Sequence, residues 1–321
     1  MDYDVFNGDA DGICALHQLR LADPRPEATL VSGVKRDIKL LARLTEEAAA
    51  GDRITVLDIS MDSNKEPLNT LLAKGCKVFY TDHHFSGDIP ENANLEDHID
   101  PSAEVCTSLI IDQLLDGKYR AWAITAAFGD NLHDAARQAA ASLGMADSDV
   151  EILRELGELI NYNGYGATPA DLHFTPEALF EAVKPYDDPL EFFHKSEDLA
   201  RLRAGYQQDM DSARAQAPLK ECASGRVYRF PAEAWSKRVA GVFSNERARE
   251  KPDMAHALLV DNGDGTLLIS VRAPMNRKKG ADTLCLAFPT GGGRAGAAGV
   301  NALPEGMLDK FISTFEEIFA P

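Results

Sequence analysis

Residues 76–87 read CKVFYTDHHFSG, an apolar run that ends in an aspartate and two adjacent histidines. A β-branched and aromatic run of this length reads as a buried strand, and its end is where the chain meets solvent. Three side chains that bind metals or protons at that point need partners from elsewhere. The stretches before it repeat its form. YDVFN (3–7), TLVSGV (29–34) and RITVLDIS (53–60) read as strands. DGICALHQLRLA (11–22), DIKLLARLTEEAAAG (37–51) and SNKEPLNTLLAKG (63–75) read as the helices between them, the last two closed by Gly51 and Gly75. This alternation predicts a parallel sheet with helices on both faces, and such sheets bind ligands beyond the carboxyl ends of their strands.

Helical patterns dominate from Ser102 to about Ala217, interrupted by NYNGYGATPADLHFTPEA (161–178), the best linker candidate. From Leu219 the texture changes. GRVYRF (225–230) reads as a strand, HALLVDNGDGTLLISVR (256–272) as a hairpin turning at Asn262 to Gly265, and EGMLDKFISTFEEIF (305–319) as a closing helix. The expected architecture is α/β: a parallel-sheet metal-binding domain over 1–145, a helical connector over 146–218, and a smaller α/β domain with a mixed sheet over 219–321.

The 321 residues are 45% apolar and 26% charged, an ordinary globular composition. With 51 acids against 33 bases, the net charge of −18 disfavours long duplex nucleic acid and anionic membranes as partners. A small phosphorylated substrate in a local positive pocket stays compatible. Five scattered cysteines without a C-x-x-C pair read as thiols of a reducing compartment. No signal peptide and no membrane span are expected, which places the chain in the cytoplasm.

With the polar residues set on the predicted strand ends, FNGDADG presents Asn7, Asp9 and Asp11, and LDIS presents Asp58. TDHH presents Asp82, His83 and His84, and GDN, after an apolar helix, presents Asp130. So many carboxylates on one rim would repel one another without cations between them. Oxygen donors with one imidazole suit Mn²⁺, or Mg²⁺, better than a thiolate zinc site. Taken singly, GDADG reads as a turn or helix cap. The combination in this order is the stronger signal. Elsewhere the plain readings hold: His17 packs or lies at the surface, EDHID (96–100) is a surface turn, and Trp122 and Trp235 are core. Tyr162 and Tyr165 are linker residues before they are a platform for a base.

NGDADG, LDIS, TDHH and AFGDN resemble the four ordered motifs of the DHH phosphoesterase superfamily. GGGRAGAAG (291–299) resembles the glycine-rich signature of the DHH-associated C-terminal domain. The family includes nanoRNases, cyclic-dinucleotide phosphodiesterases, RecJ-like exonucleases and manganese pyrophosphatases. The resemblance implies a hydrolase with two divalent cations, Mn²⁺ before Mg²⁺, held by Asn7, Asp9, Asp11, Asp58, His83 and Asp130. Asp58 would bridge them, Asp82 orient the histidines, and His84 steady the scissile phosphate while water attacks in line. Arg272, Gly291, Gly292, Gly293 and Arg294 would bind substrate, with backbone amides and the following helix start as donors. The implied activity is that of a phosphodiesterase on short oligonucleotides, nanoRNase-like, and a homodimer is compatible with it. The alternatives are a phosphatase, cyclic-dinucleotide phosphodiesterase or pyrophosphatase, or a nucleotide-binding protein with a degenerate metal site. Two departures stand out. The family usually carries His or Asp where this chain has Asn7, so the first metal would bind more weakly. It usually reads GGGH where this chain has Arg294, which offers a phosphate fork but no proton transfer.

Overall fold

The apolar runs form a five-stranded, all-parallel sheet in the order β2-β1-β3-β4-β5, from β1 (Asp2–Phe6), β2 (Thr29–Val31), β3 (Arg53–Leu57), β4 (Lys77–Asp82) and β5 (Leu95–Ile99). The structure is a computed structural model that describes residues 1–320. The chain winds outward from β1 to β2, then returns to β3 on the other side of β1. Such a reversal opens a crevice at the carboxyl ends of the strands. Register decides what fills it. Phe6 lies opposite Leu57, and Leu57 opposite Thr81, so Asn7, Asp58 and Asp82 emerge side by side.

This sheet belongs to the first of two compact units, Met1–Ala204; the second begins at Gly205. One face of the sheet packs Val5, Val56 and Tyr80 against Leu40, Leu41 and Leu44, and against Leu68, Leu71 and Leu72 of α2 (Lys65–Ala73). Toward the other face lie α1 (Ala10–Ala22), α3 (Thr107–Leu114), α4 (Arg120–Gly129), α5 (His133–Ser142) and α6 (Asp147–Asn163), followed by α7 (Pro176–Val183), α8 (Pro189–Lys195) and α9 (Glu197–Arg214). Gly12 lets α1 start hard against the end of β1, since a Cβ there would lie 2.2 Å from the carbonyl oxygen of Asn7. The same helix is pinned to the sheet by Arg20. Its guanidinium donates to both Asp4 oxygens (2.8 and 2.6 Å) and to Thr55 Oγ1 (2.8 Å), in a buried pair of the bidentate kind. His17 is buried on α1, donating from Nε2 to the Tyr186 carbonyl (2.7 Å) with its ring edge-on to Trp122.

Three local expectations fail for identifiable reasons. Residues 37–51 are not an α-helix but a 3₁₀ turn over Leu40–Leu44 and further turns. The carbonyls of Thr45 and Ala48, which a continuing helix would direct at its own amides, accept from Lys74 Nζ instead, at 2.6 and 3.1 Å. EDHID is not a turn but most of β5, pairing in parallel with β4. Its charges suit an exposed edge, where they discourage pairing with another chain. Residues 161–178 are not a linker. Tyr162 and Asn163 are buried, Asn163 exchanges hydrogen bonds with the Phe174 backbone (2.9 and 3.1 Å), and Tyr162 Oη pairs with His173 Nε2 at 2.8 Å.

In the second unit a six-stranded mixed sheet runs β10-β11-β9-β8-β7-β6, from β6 (Lys220–Cys222), β7 (Gly225–Phe230), β8 (Ala255–Asp261), β9 (Thr266–Arg272), β10 (Gly291–Arg294) and β11 (Ala297–Pro304). Only β7 and β8 pair in parallel; β8 and β9 form the expected hairpin. The unit also holds α10 (Ala234–Glu250), α11 (Ala281–Leu286) and α12 (Leu308–Ile318). Leu259, Ile269 and Val300 of the sheet pack with Leu284, Phe311 and Phe315 of α11 and α12. All five cysteines are free thiols; Cys14, Cys76, Cys106 and Cys285 are buried and Cys222 is half-buried. No helix among the described residues is long and apolar enough to cross a membrane.

Candidate metal centre

The α/β fold brings the four acidic segments to the carboxyl ends of β1, β3 and β4. Asp9 caps α1, its Oδ1 accepting from the amides of Asp11 (3.0 Å) and Gly12 (3.1 Å). Asp11 points across to the start of α3, where the amides of Thr107 and Ser108 donate to its two oxygens, each at 2.7 Å. Helix starts favour such an anion. Asp58 follows β3 with φ +57°, a left-handed conformation that turns its carboxylate into the crevice. Asp130 caps the carboxyl end of α4.

His83 is the pivot. Its Nδ1 donates to the Val105 carbonyl at 3.0 Å, which leaves the Nε2 lone pair facing inward. That nitrogen lies 3.4 Å from Asp58 Oδ1, 3.6 Å from Asp130 Oδ2 and 3.9 Å from Asp11 Oδ2. A lone pair among three carboxylate oxygens is repulsive until a cation sits in their midst. Donor atoms of Asp11, His83 and Asp130 lie within 4.8 Å of one another, as do those of Asp58, His83 and His84. Hard oxygens with one imidazole fit Mn²⁺ or Mg²⁺.

Electrostatics tell the same story. Burial, then the charges of Asp9, Asp11, Asp130 and Asp82, push Asp58 well above the usual carboxylate range. Burial likewise raises Asp11. Asp9 goes the other way: burial would raise it, but the Lys35 ammonium more than offsets that. His84 is half-exposed, and its Nδ1 pairs with Asp82 Oδ1 at 2.7 Å, which raises its pKa. Asp82 itself is fully buried, its other oxygen without a protein partner.

Of the residues singled out in sequence, Asp9, Asp11, Asp58, His83 and Asp130 are thus joined through direct contacts, with His84 and Asp82 beside them. Asn7 is buried at the rim; its amide nitrogen donates to the Lys35 carbonyl at 3.3 Å, and its Oδ1 has no protein partner. Lys35 is the residue that sequence reasoning missed. Its Nζ donates to Asp9 Oδ2 (2.5 Å), Asn161 Oδ1 (3.0 Å) and Asp130 Oδ1 (3.3 Å). Its place just past β2, one strand over from Asp9, was the available signal.

In the second unit, Arg272 and Arg294 line one pocket of about 470 Å³ together with Arg249 and Lys278, and no acidic side chain lines it. Arg272 also donates to Asn245 Oδ1 at 2.8 Å. The glycines have another task than the sequence suggested. Gly291–Arg294 is β10, hairpinned onto β11, so no helix start follows it. A Cβ on Gly291 would lie 1.7 Å from the Cys285 carbonyl oxygen, and Gly293 has φ +135° against Ala298. Gly291 and Gly293 serve close packing, while Gly292 has open space above it.

No family model and no curated protein matches the chain by sequence. Solved structures do match. Thermus thermophilus RecJ in complex with Mn²⁺ superposes with TM-score 0.64 at 18% identity, over 99% of this chain and 52% of that one, so this chain spans about half of that protein. A DHH-domain protein described as a member of the s1p family of ribosomal proteins gives 0.62 at 14% identity, over 98% and 85%. A pGpG-specific phosphodiesterase, PggH from Vibrio cholerae, gives 0.54 at 13% identity, over 99% of both chains.

Proposed function

We propose, from the DHH-domain fold that this chain shares with those structures, that it is a divalent-cation-dependent phosphoesterase of the DHH superfamily. The single observation that carries this reading is the His83 Nε2 lone pair set among Asp11, Asp58 and Asp130. Those four side chains would hold the cation. Once bound, it would neutralise the rim and supply Lewis acidity to a phosphate oxygen and to the attacking water. Mn²⁺ is the cation of choice, in keeping with the donor set and with the RecJ complex.

The chain's own residues then handle protons and charge. His84 gives its Nδ1 to Asp82, so it keeps a proton on Nε2 to higher pH and can pass it to the departing oxygen. The water forms the new P–O bond and sheds its proton to the carboxylate rim as the ester P–O bond breaks. Asp82 positions His84 and does not meet the substrate. The basic pocket lined by Arg249, Arg272, Lys278 and Arg294 offers a place for an anionic group.

A short oligonucleotide is the preferred substrate class. The net charge of −18 argues against long strands, and the end-to-end likeness to a pGpG phosphodiesterase favours linear dinucleotides. Purified protein with Mn²⁺ should release mononucleotides from pGpG and other dinucleotides faster than it turns over cyclic dinucleotides, adenosine bisphosphate or pyrophosphate. Asp58→Asn should abolish that turnover. Absence of hydrolysis across the whole panel, with nucleotide binding retained, would favour the degenerate nucleotide-binding protein instead.

A further inference from the structure

The rim contains two sets of oxygen donors, and only one is open to a metal. Asp11, Asp58 and Asp130 surround His83 Nε2. The other set, Asp9 Oδ2, Asp130 Oδ1 and Asn161 Oδ1, converges on the Lys35 ammonium at 2.5, 3.3 and 3.0 Å. We infer that the centre takes one divalent cation, not the two expected from sequence, and that Lys35 Nζ is the second positive charge, built into the chain. This rests on the metal-dependent reading above.

Lys35 is built in from every side. Its amide donates to the Gly164 carbonyl at 3.0 Å, and its own carbonyl accepts from Asn7 at 3.3 Å, so the backbone is tied on both flanks. Asn161 Nδ2 donates to Tyr165 Oη at 2.9 Å, which turns Asn161 Oδ1 toward the ammonium. Nζ also lies 5.8 Å from the centre of the Tyr165 ring, within cation–π range. An ammonium has three N–H donors, and three oxygens take them. The segment NYNGYG, which read as a linker, thereby acquires a role: it presents the cage for this lysine.

Charge completes the case. The ammonium already pairs with the Asp9 carboxylate, and Asn7 adds a neutral amide. A second divalent ion at Asp9 would sit within a few ångströms of a like charge. A lysine differs from a metal in one further respect: it cannot be removed by a chelator, so one half of the electrostatic machinery stays in place when the other is stripped.

The test counts ions. Chelator-stripped protein, equilibrium-dialysed against Mn²⁺ at neutral pH, should bind one ion per chain and show the six-line paramagnetic resonance of an isolated Mn²⁺. Lys35→Ala should admit a second ion and produce an exchange-coupled signal. Adding Asn7→His to it should tighten that second site. Two coupled ions in the wild-type protein would overturn the inference, as would a folded Lys35→Ala that still stops at one. Should Lys35→Ala fail to fold, the wild-type count decides alone. Two ions in an active hydrolase sink this inference and spare the proposed function; no bound ion sinks both.

Discussion

Asp58 occupies a backbone conformation that few residues accept, and Asn is one of them. Asp58→Asn therefore removes a charge without straining the turn. It should eliminate hydrolysis while raising the metal-free protein's stability by about 1 kcal/mol, because four neighbouring carboxylates no longer repel the site; urea midpoints in chelator read this directly. His17 makes a different prediction. Burial lowers its pKa from 6.5 to about 4, so the folded state prefers it neutral. The stability tied to that preference is fully present above pH 6.5 and drains away as pH falls toward 4, by at most about 3 kcal/mol. Urea denaturation between pH 7 and 4.5 should show a flatter acid limb for His17→Gln than for wild type. At this scale the sequence was legible where a motif is contiguous: GDADG and TDHH display their chemistry in a few letters. Lys35 was not, because its partners Asp9, Asp130 and Asn161 come from three other segments and no local pattern marks it.

Among the elements, α1 has the firmest attachment, through Arg20 to Asp4 of β1 and Thr55 of β3. Arg20→Met strands a buried carboxylate and should destabilise the first unit by about 3–5 kcal/mol. The double variant Arg20→Met/Asp4→Leu should recover most of the loss, and a double-mutant cycle in urea measures the difference. Four of the five parallel strands announced themselves through apolar runs, and the register that sets Asn7, Asp58 and Asp82 abreast followed from their order. β5 stayed hidden because an exposed edge strand carries charges rather than a hydrophobic pattern. Residues 37–51 misled for the opposite reason. Their composition favours a helix, but Lys74, about thirty residues away, captures the carbonyls that the helix would need.

Over the whole molecule, a net charge of −18 sets the range of partners. A labelled single-stranded 20-mer should show no tighter binding than a dinucleotide in anisotropy titrations at 150 mM salt, since phosphates beyond the first few meet a negative surface. Two separate cores, one beneath the parallel sheet and one beneath the mixed sheet, were foreshadowed by the change in texture near residue 219. The buried thiols acquire a use from this arrangement. Cys14, Cys76 and Cys106 lie in the first unit and Cys285 in the second, and burial raises the pKa of each. None can be alkylated until its surroundings open, whereas half-buried Cys222 should be modified early. Mass-resolved labelling would thus clock the breathing of each half of the chain separately, using reporters that the protein already carries.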